Sequence, residues 1–117
     1  AMQDYDETIR LAPQDAIAYN NRGIAYRTLG QYERSIQDYD EAIRLDPQYA
    51  LAYAVRGLAY YKLGQYERAI QDLDEAIRLD PQEARAYEIR GLAYQALGNN
   101  SAADRDLKKA IELGYPP

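Results

Sequence analysis

Four side chains that do much of the chemistry in proteins are missing from this 117-residue chain: it has no cysteine, histidine, phenylalanine or tryptophan. Without cysteine there are no disulfides and no thiolate metal sites, and the redox compartment is left open. Without histidine or cysteine most nucleophile–base pairs cannot be assembled. The hydroxyls outside tyrosine are few: Thr8, Thr28, Ser35 and Ser101. Basic charge is also in deficit. The net charge of −5 disfavours nucleic acid, whose phosphates need a basic face, and an anionic membrane surface. No apolar run approaches the ~20 residues of a membrane-spanning helix. Calcium would need an acidic loop with convergent oxygens, whereas the acidic residues here are spread along helical patterns. Carboxylates such as Asp72, Asp74 and Glu75 are expected on a solvated helix face, with no phosphate cradle beside them. Enzyme activity, metals and cofactors are therefore not expected.

What is present is a period. Pro13, Pro47 and Pro81 are spaced by 34 residues, as are Gly23, Gly57 and Gly91, and Gly30, Gly64 and Gly98. Tyr19, Tyr53 and Tyr87 keep the same interval, and tyrosine supplies all thirteen aromatic residues. A fixed period of this length marks a repeat architecture. The units run over 14–47, 48–81 and 82–115, and residues 1–12 match only the second half of a unit. The chain is thus expected to be a piece of a longer array, with Ala1-Met2 as a cloning remnant.

Each unit reads as two helices, and no strand signal appears. Asp46-Pro47 and Asp80-Pro81 have the form of an N-cap followed by proline at the first helical position. The first helix is predicted to run to Leu29, Leu63 or Leu97, with Gly30, Gly64 or Gly98 as its stop. The second is predicted to span about Tyr32–Leu45, Tyr66–Leu79 and Asn100–Leu113. On its outer side, Asp40–Arg44 and Asp74–Arg78 stand four residues apart, a favourable order for helix surface pairs. Gly23, Gly57 and Gly91 lie inside a first helix, at a cost of ~1 kcal/mol each relative to alanine. Close approach of a second helix would offset that cost. Ala42, Ala76 and Ala110 are the expected facing residues, helped by Ser35, Ala69 and Ala103.

The pattern Tyr19…Gly23…Tyr26…Gly30-x-Tyr32-x-x-Ser35…Tyr39…Ala42…Pro47 resembles the tetratricopeptide repeat. Tyr53…Gly57…Tyr60…Gly64-x-Tyr66-x-x-Ala69…Leu73…Ala76…Pro81 matches it again. The third unit keeps Tyr87, Gly91, Tyr94, Gly98, Ala103, Leu107 and Ala110, but has Asn100 for the tyrosine and Gly114 for the aspartate. The resemblance covers essentially the whole chain. It implies an all-α, right-handed superhelical solenoid of antiparallel helix pairs, a concave groove lined mainly by first helices, and a role in protein–protein recognition. Family members often carry leucine before the helical glycine, where this chain has Arg22, Arg56 and Arg90. Antiparallel pairing should bring these to Asp38, Asp72 and Asp106, as three structural ion pairs.

Residues 16–47 and 50–81 are identical at 24 of 32 positions. Six of the eight differences fall on the first helix at spacings that define one face. In the family that face lines the groove. The candidate groove residues are Ile17, Asn20, Asn21, Ile24, Arg27, Leu51, Val55, Leu58, Tyr61, Lys62, Arg85, Glu88, Ile89 and Leu92. Such an apolar centre with a polar surround suits a peptide or helix of another protein, with Tyr61 as an anchor. Ile24, Leu58 and Leu92 are the ones most expected to join the core instead. Relatives that hold a chaperone's C-terminal carboxylate use a clamp of lysine, asparagine and arginine. The matching positions are Asn20, Ile24, Val55, Arg85 and Ile89, of which only Arg85 is charged, so the resemblance does not imply that activity here. The alternative is a self-assembling module. Tyr5, Ile9 and Leu11 at one end, and Leu107 and Ile111 at the other, are expected to be partly bare and to favour a homo-oligomer.

Overall fold

The computed structural model describes residues 2–116; Ala1, half of the expected remnant, lies outside them. Seven helices follow one another: α1 (Met2–Leu11), α2 (Ala16–Thr28), α3 (Tyr32–Leu45), α4 (Ala50–Lys62), α5 (Tyr66–Leu79), α6 (Ala84–Ala96) and α7 (Asn100–Glu112). No strand occurs among the described residues. The helices α2/α3, α4/α5 and α6/α7 pack as pairs, and each pair stacks on the next. The result is an elongated all-α solenoid measuring 46 × 24 × 24 Å.

The turn inside each pair follows from its glycine. Gly30, Gly64 and Gly98 adopt φ of 75°, 77° and 82°, a region that side chains with a Cβ rarely enter. This left-handed step lets the Gln31 N–H donate back to the Tyr26 carbonyl (2.9 Å), with Gln65 and Asn99 doing the same to Tyr60 and Tyr94. These are the Schellman bonds that satisfy a helix C-terminus.

The turn between pairs differs from expectation. Asp46 and Asp80 do not cap the following helix; they close the preceding one. Their carboxylates accept from Gln48 N–H (3.1 Å) and Gln82 N–H (3.2 Å), which stabilises a turn across the proline. The helix itself starts three residues later. Asp15 caps α2 through the Ile17 and Ala18 amides and Glu83 caps α6 through the Arg85 amide, while Tyr49 before α4 offers no side-chain bond.

Among the described residues, twelve of the sixteen buried apolar ones are alanine, so the core is made by backbones approaching closely rather than by large side chains meeting. Tyrosines and longer aliphatics fill the flanks of this alanine seam half-buried. The closest approach is at the helical glycines. A Cβ on Gly57 would stand 2.9 Å from Leu73 Cγ and 3.2 Å from the Ala69 carbonyl oxygen. The nearest facing residues are therefore Leu73, Ala69 and Asp72: Ala69 was expected there, whereas Ala76 is not among them. At Gly23 the neighbour is the Tyr39 ring, which fills the place of a side chain there. Ser35 Oγ donates to the Gly23 carbonyl (2.8 Å) and ties the first pair at that point.

Arg22, Arg56 and Arg90 each bind two carboxylates. Arg56 Nε and Nη2 donate to the two oxygens of Asp72 at 2.8 and 2.7 Å, and its Nη1 donates to Asp40 of the preceding unit at 2.9 Å. Arg22 spans Asp38 and Asp6 in the same way, and Arg90 spans Asp106 and Asp74. The guanidiniums also lie over the rings of Tyr19, Tyr53 and Tyr87 at 5.9, 5.7 and 5.6 Å. Burial works against the Arg56 charge, but the hydrogen bonds to Asp72 and Asp40 outweigh it and raise its pKa. The second carboxylate corrects the surface-pair expectation. Asp40 and Asp74 reach the next unit's arginine, and Arg44 and Arg78 turn instead to Glu41 and Glu75, three residues back. A forked guanidinium already held by one carboxylate has a donor left over, and the exposed aspartate of the adjacent pair is in place to accept it.

Candidate functional site

The first helices α2, α4 and α6 lie side by side and present one face. Where they meet there is a solvent-open hollow of about 70 Å³, lined by Arg27 from α2, by Leu51, Ala54, Val55 and Leu58 from α4, by Glu83 just before α6, and by Arg85 and Ile89 from α6. Its floor is deep. Val55 and Ile89 are 7% and 4% exposed, so they contribute only their inward-facing surface. Leu51 forms an open wall at 47% exposure, a large apolar side chain left in water. The hollow thus has an aliphatic floor and two arginines and a glutamate at its edge. Glu83 is committed: its Oε1 accepts from the Arg85 amide (3.1 Å) at the start of α6, where a negative charge is favoured.

The remaining candidates are distributed as follows. Ile17, Asn21 and Lys62 are exposed on their helices. Leu92 is half-buried, and Tyr61 leans on Tyr66, with ring centroids 5.6 Å apart, outside the hollow. Ile24 lines a different depression, with Met2, Tyr5, Thr28 and Leu29 near α1. Glu88 lines another, with Leu107, Ala110, Ile111 and Tyr115 near α7, and burial there raises its pKa against the pull of Arg85 and Lys62. Asn20 is the clearest correction. It is 0% exposed, and its amide has no hydrogen-bond partner among the described residues, so it offers nothing to a ligand on the surface. The helical period placed it on the varied face, but that face is wider than the open part of the groove, and its margin forms the seam between helices.

Sequence reasoning missed Ala54 and Glu83 in the lining. Ala54 stands where Asn20 stands in the first unit, and its small side chain leaves space in the lining. Glu83 precedes α6 and lies outside any helical-face argument.

Among the described residues no helix is long and apolar enough to cross a membrane, and no group of His, Cys, Asp or Glu could hold a metal ion. Family models described as tetratricopeptide repeats match residues 4–37, 23–64, 57–98 and 84–113. The chain belongs to the tetratricopeptide-repeat family. Solved structures of the family superpose closely. The second such domain of Spaghetti (RPAP3), bound to the HSP90 peptide SRMEEVD, is 34% identical with a TM-score of 0.83, over 96% of both chains. The second domain of human RPAP3, in complex with the HSP70 peptide SGPTIEEVD, is 36% identical with a TM-score of 0.81, over 85% of this chain and 82% of that one. MamA is 31% identical with a TM-score of 0.87 over 96% of this chain, which spans 61% of the MamA length. No curated protein matches in a sequence search.

Proposed function

We propose that this chain is a protein-interaction scaffold that takes an apolar peptide or helix of another protein on the face formed by α2, α4 and α6. The observation that carries the reading is the aliphatic hollow between those helices, with Leu51 exposed at its edge. Two structural relatives were solved with a peptide of another protein bound, which supports a scaffold role for the fold. A peptide held by its C-terminal carboxylate does not suit this face. Of the five clamp positions, Asn20, Val55 and Ile89 are buried and Ile24 faces the α1 depression, leaving Arg85 alone.

The test is selection of random twelve-residue peptides displayed on phage against the immobilised chain. The selected peptides are then measured against a Leu51→Asp variant. A charge at the wall should weaken them by ~10-fold or more with no change in melting temperature, because Leu51 is already half in water. Peptides that bind the variant as well as the parent would place the site elsewhere. A selection that enriches nothing would shift weight to self-association through the depressions beside α1 and α7, read as a mass that grows with concentration in light scattering.

A further inference from the structure

Eight of the eleven arginines hold a carboxylate or a glutamine side chain. The guanidiniums of Arg27, Arg85 and Arg105 make no hydrogen bond or ion pair among the described residues. Two of these three line the same hollow, Arg27 from α2 on one side of α4 and Arg85 from α6 on the other. A chain with 19 acidic and 14 basic residues, in which most guanidiniums find a partner, has left two uncommitted around its apolar depression. The acid lining the same hollow, Glu83, spends a carboxylate oxygen on the Arg85 amide. Lys62 extends the cationic side of this face, and it and Arg85 both act on the Glu88 carboxylate without bonding it.

The hollow is well below the size of ligand pockets, so it suits one side chain rather than a cofactor. Its floor of Ala54, Val55 and Ile89 contains no polar side chain, so that side chain is aliphatic. Guanidiniums at both edges fit carboxylates on either side of it, by the charge complementarity that sets partner choice at interfaces. We propose that the ligand is an internal acidic segment of another protein, in which a single leucine, isoleucine or valine enters the hollow and flanking aspartate or glutamate side chains meet Arg27 and Arg85. This rests on the groove reading and goes further, since it fixes the chemistry of the partner.

The probes are three pools of twelve-residue peptides, acetylated and amidated so that no terminal charge remains. A central leucine is fixed in all. The two residues on each side are Asp or Glu in the first pool, Asn or Gln in the second and Lys or Arg in the third, with the outer positions randomised. Each pool is titrated into the full chain, and the methyl resonances of Leu51, Val55, Leu58 and Ile89 are followed by NMR. The acidic pool should move these methyls at a concentration about tenfold below the neutral pool, and raised salt should close the gap. The Arg27→Gln, Arg85→Gln double variant should bring the acidic pool level with the neutral one. That variant should keep its fold, because neither side chain makes a bond to lose, and an unchanged melting curve checks this. Equal response to acidic and neutral pools, or a stronger response to the basic one, overturns the acidic assignment and leaves the groove standing. If no pool moves the four methyls, the groove reading falls as well.

Discussion

Arg56 lets one guanidinium report on two very different carboxylates. Asp72 is 7% exposed in its side chain and holds Arg56 through two bonds, whereas Asp40 is 54% exposed and holds it through one. Removing a partner from a buried pair leaves an uncompensated charge, at a cost of about 3–5 kcal/mol. Removing an exposed partner costs about 0.2–1 kcal/mol. Asp72→Ala should therefore cost several times more than Asp40→Ala, although both side chains touch the same residue. Against a total stability of about 5–15 kcal/mol, the first change would take a large fraction and the second would be near the error of measurement. Urea unfolding at 25 °C reads both directly, with the slope checked for constancy. The small Asp40 contribution should vanish at about 1 M salt, where screening acts within ~3 Å, while that of Asp72 should largely persist. Equal costs for the two variants would refute the reasoning, because burial would then not be what decides the energy. A third variant separates pairing from net worth: replacing both partners, as Arg56→Met with Asp72→Leu, should recover most of the loss, since a buried pair adds little over apolar residues of similar size.

Tyr39 and Gly57 carry two further predictions. The Tyr39 hydroxyl is fully buried and makes no well-formed hydrogen bond among the described residues, the nearby Ser35 hydroxyl being given to the Gly23 carbonyl; burial pushes its pKa up to about 12, with Arg27 and Ser35 opposing. Tyr39→Phe should thus stabilise the fold by about 1–2 kcal/mol at neutral pH in thermal unfolding; a loss of stability would show that the hydroxyl is bonded in solution. The sign with pH is also fixed. The unfolded hydroxyl ionises near 10 and the folded one later, so this group's share of stability is whole below about pH 10 and falls by about 1.4 kcal/mol per pH unit up to about 12. The phenylalanine variant should lack that limb. At Gly57 an added methyl would crowd Leu73 and the Ala69 carbonyl, so Gly57→Ala should cost about 1–3 kcal/mol from overpacking, partly offset by ~1 kcal/mol of helix propensity. A gain in melting temperature would mean that the helices part easily.

The pair of helices in each unit was legible because its punctuation is local. Gly30, Gly64 and Gly98 act within one turn, and the spacing from Arg56 to Asp72 follows from folding one helix back on another. What was not legible depends on how units sit on each other. Asp40 has Arg44 one turn away in sequence, but bonds Arg56 across the stack. Asp46-Pro47 has the letters of a helix start, and only the geometry of the turn shows its carboxylate spent on Gln48. The groove divides along the same line. A helical period finds the face that carries Leu51 and Asn20 alike, but cannot tell that one is half in water and the other fully enclosed. That depends on the angle between neighbouring first helices, to which every residue in the seam contributes a little.

The doubly bonded arginines have a consequence for lengthening this solenoid. The middle unit, 48–81, brings Arg56 and Asp72 for itself and Asp74 for the unit that follows, and Arg56 donates to the Asp40 that the unit before provides. Its upper and lower surfaces are thus complementary in charge, and copies of it could be spliced in tandem with every bridge remade at each joint. The last unit does not share this property, because Lys108 stands where Asp40 and Asp74 stand in the others. Duplicating that unit would set an arginine against a lysine at the joint. The same 34-residue frame therefore contains one module that can be multiplied and one that brings the series of bridges to a close.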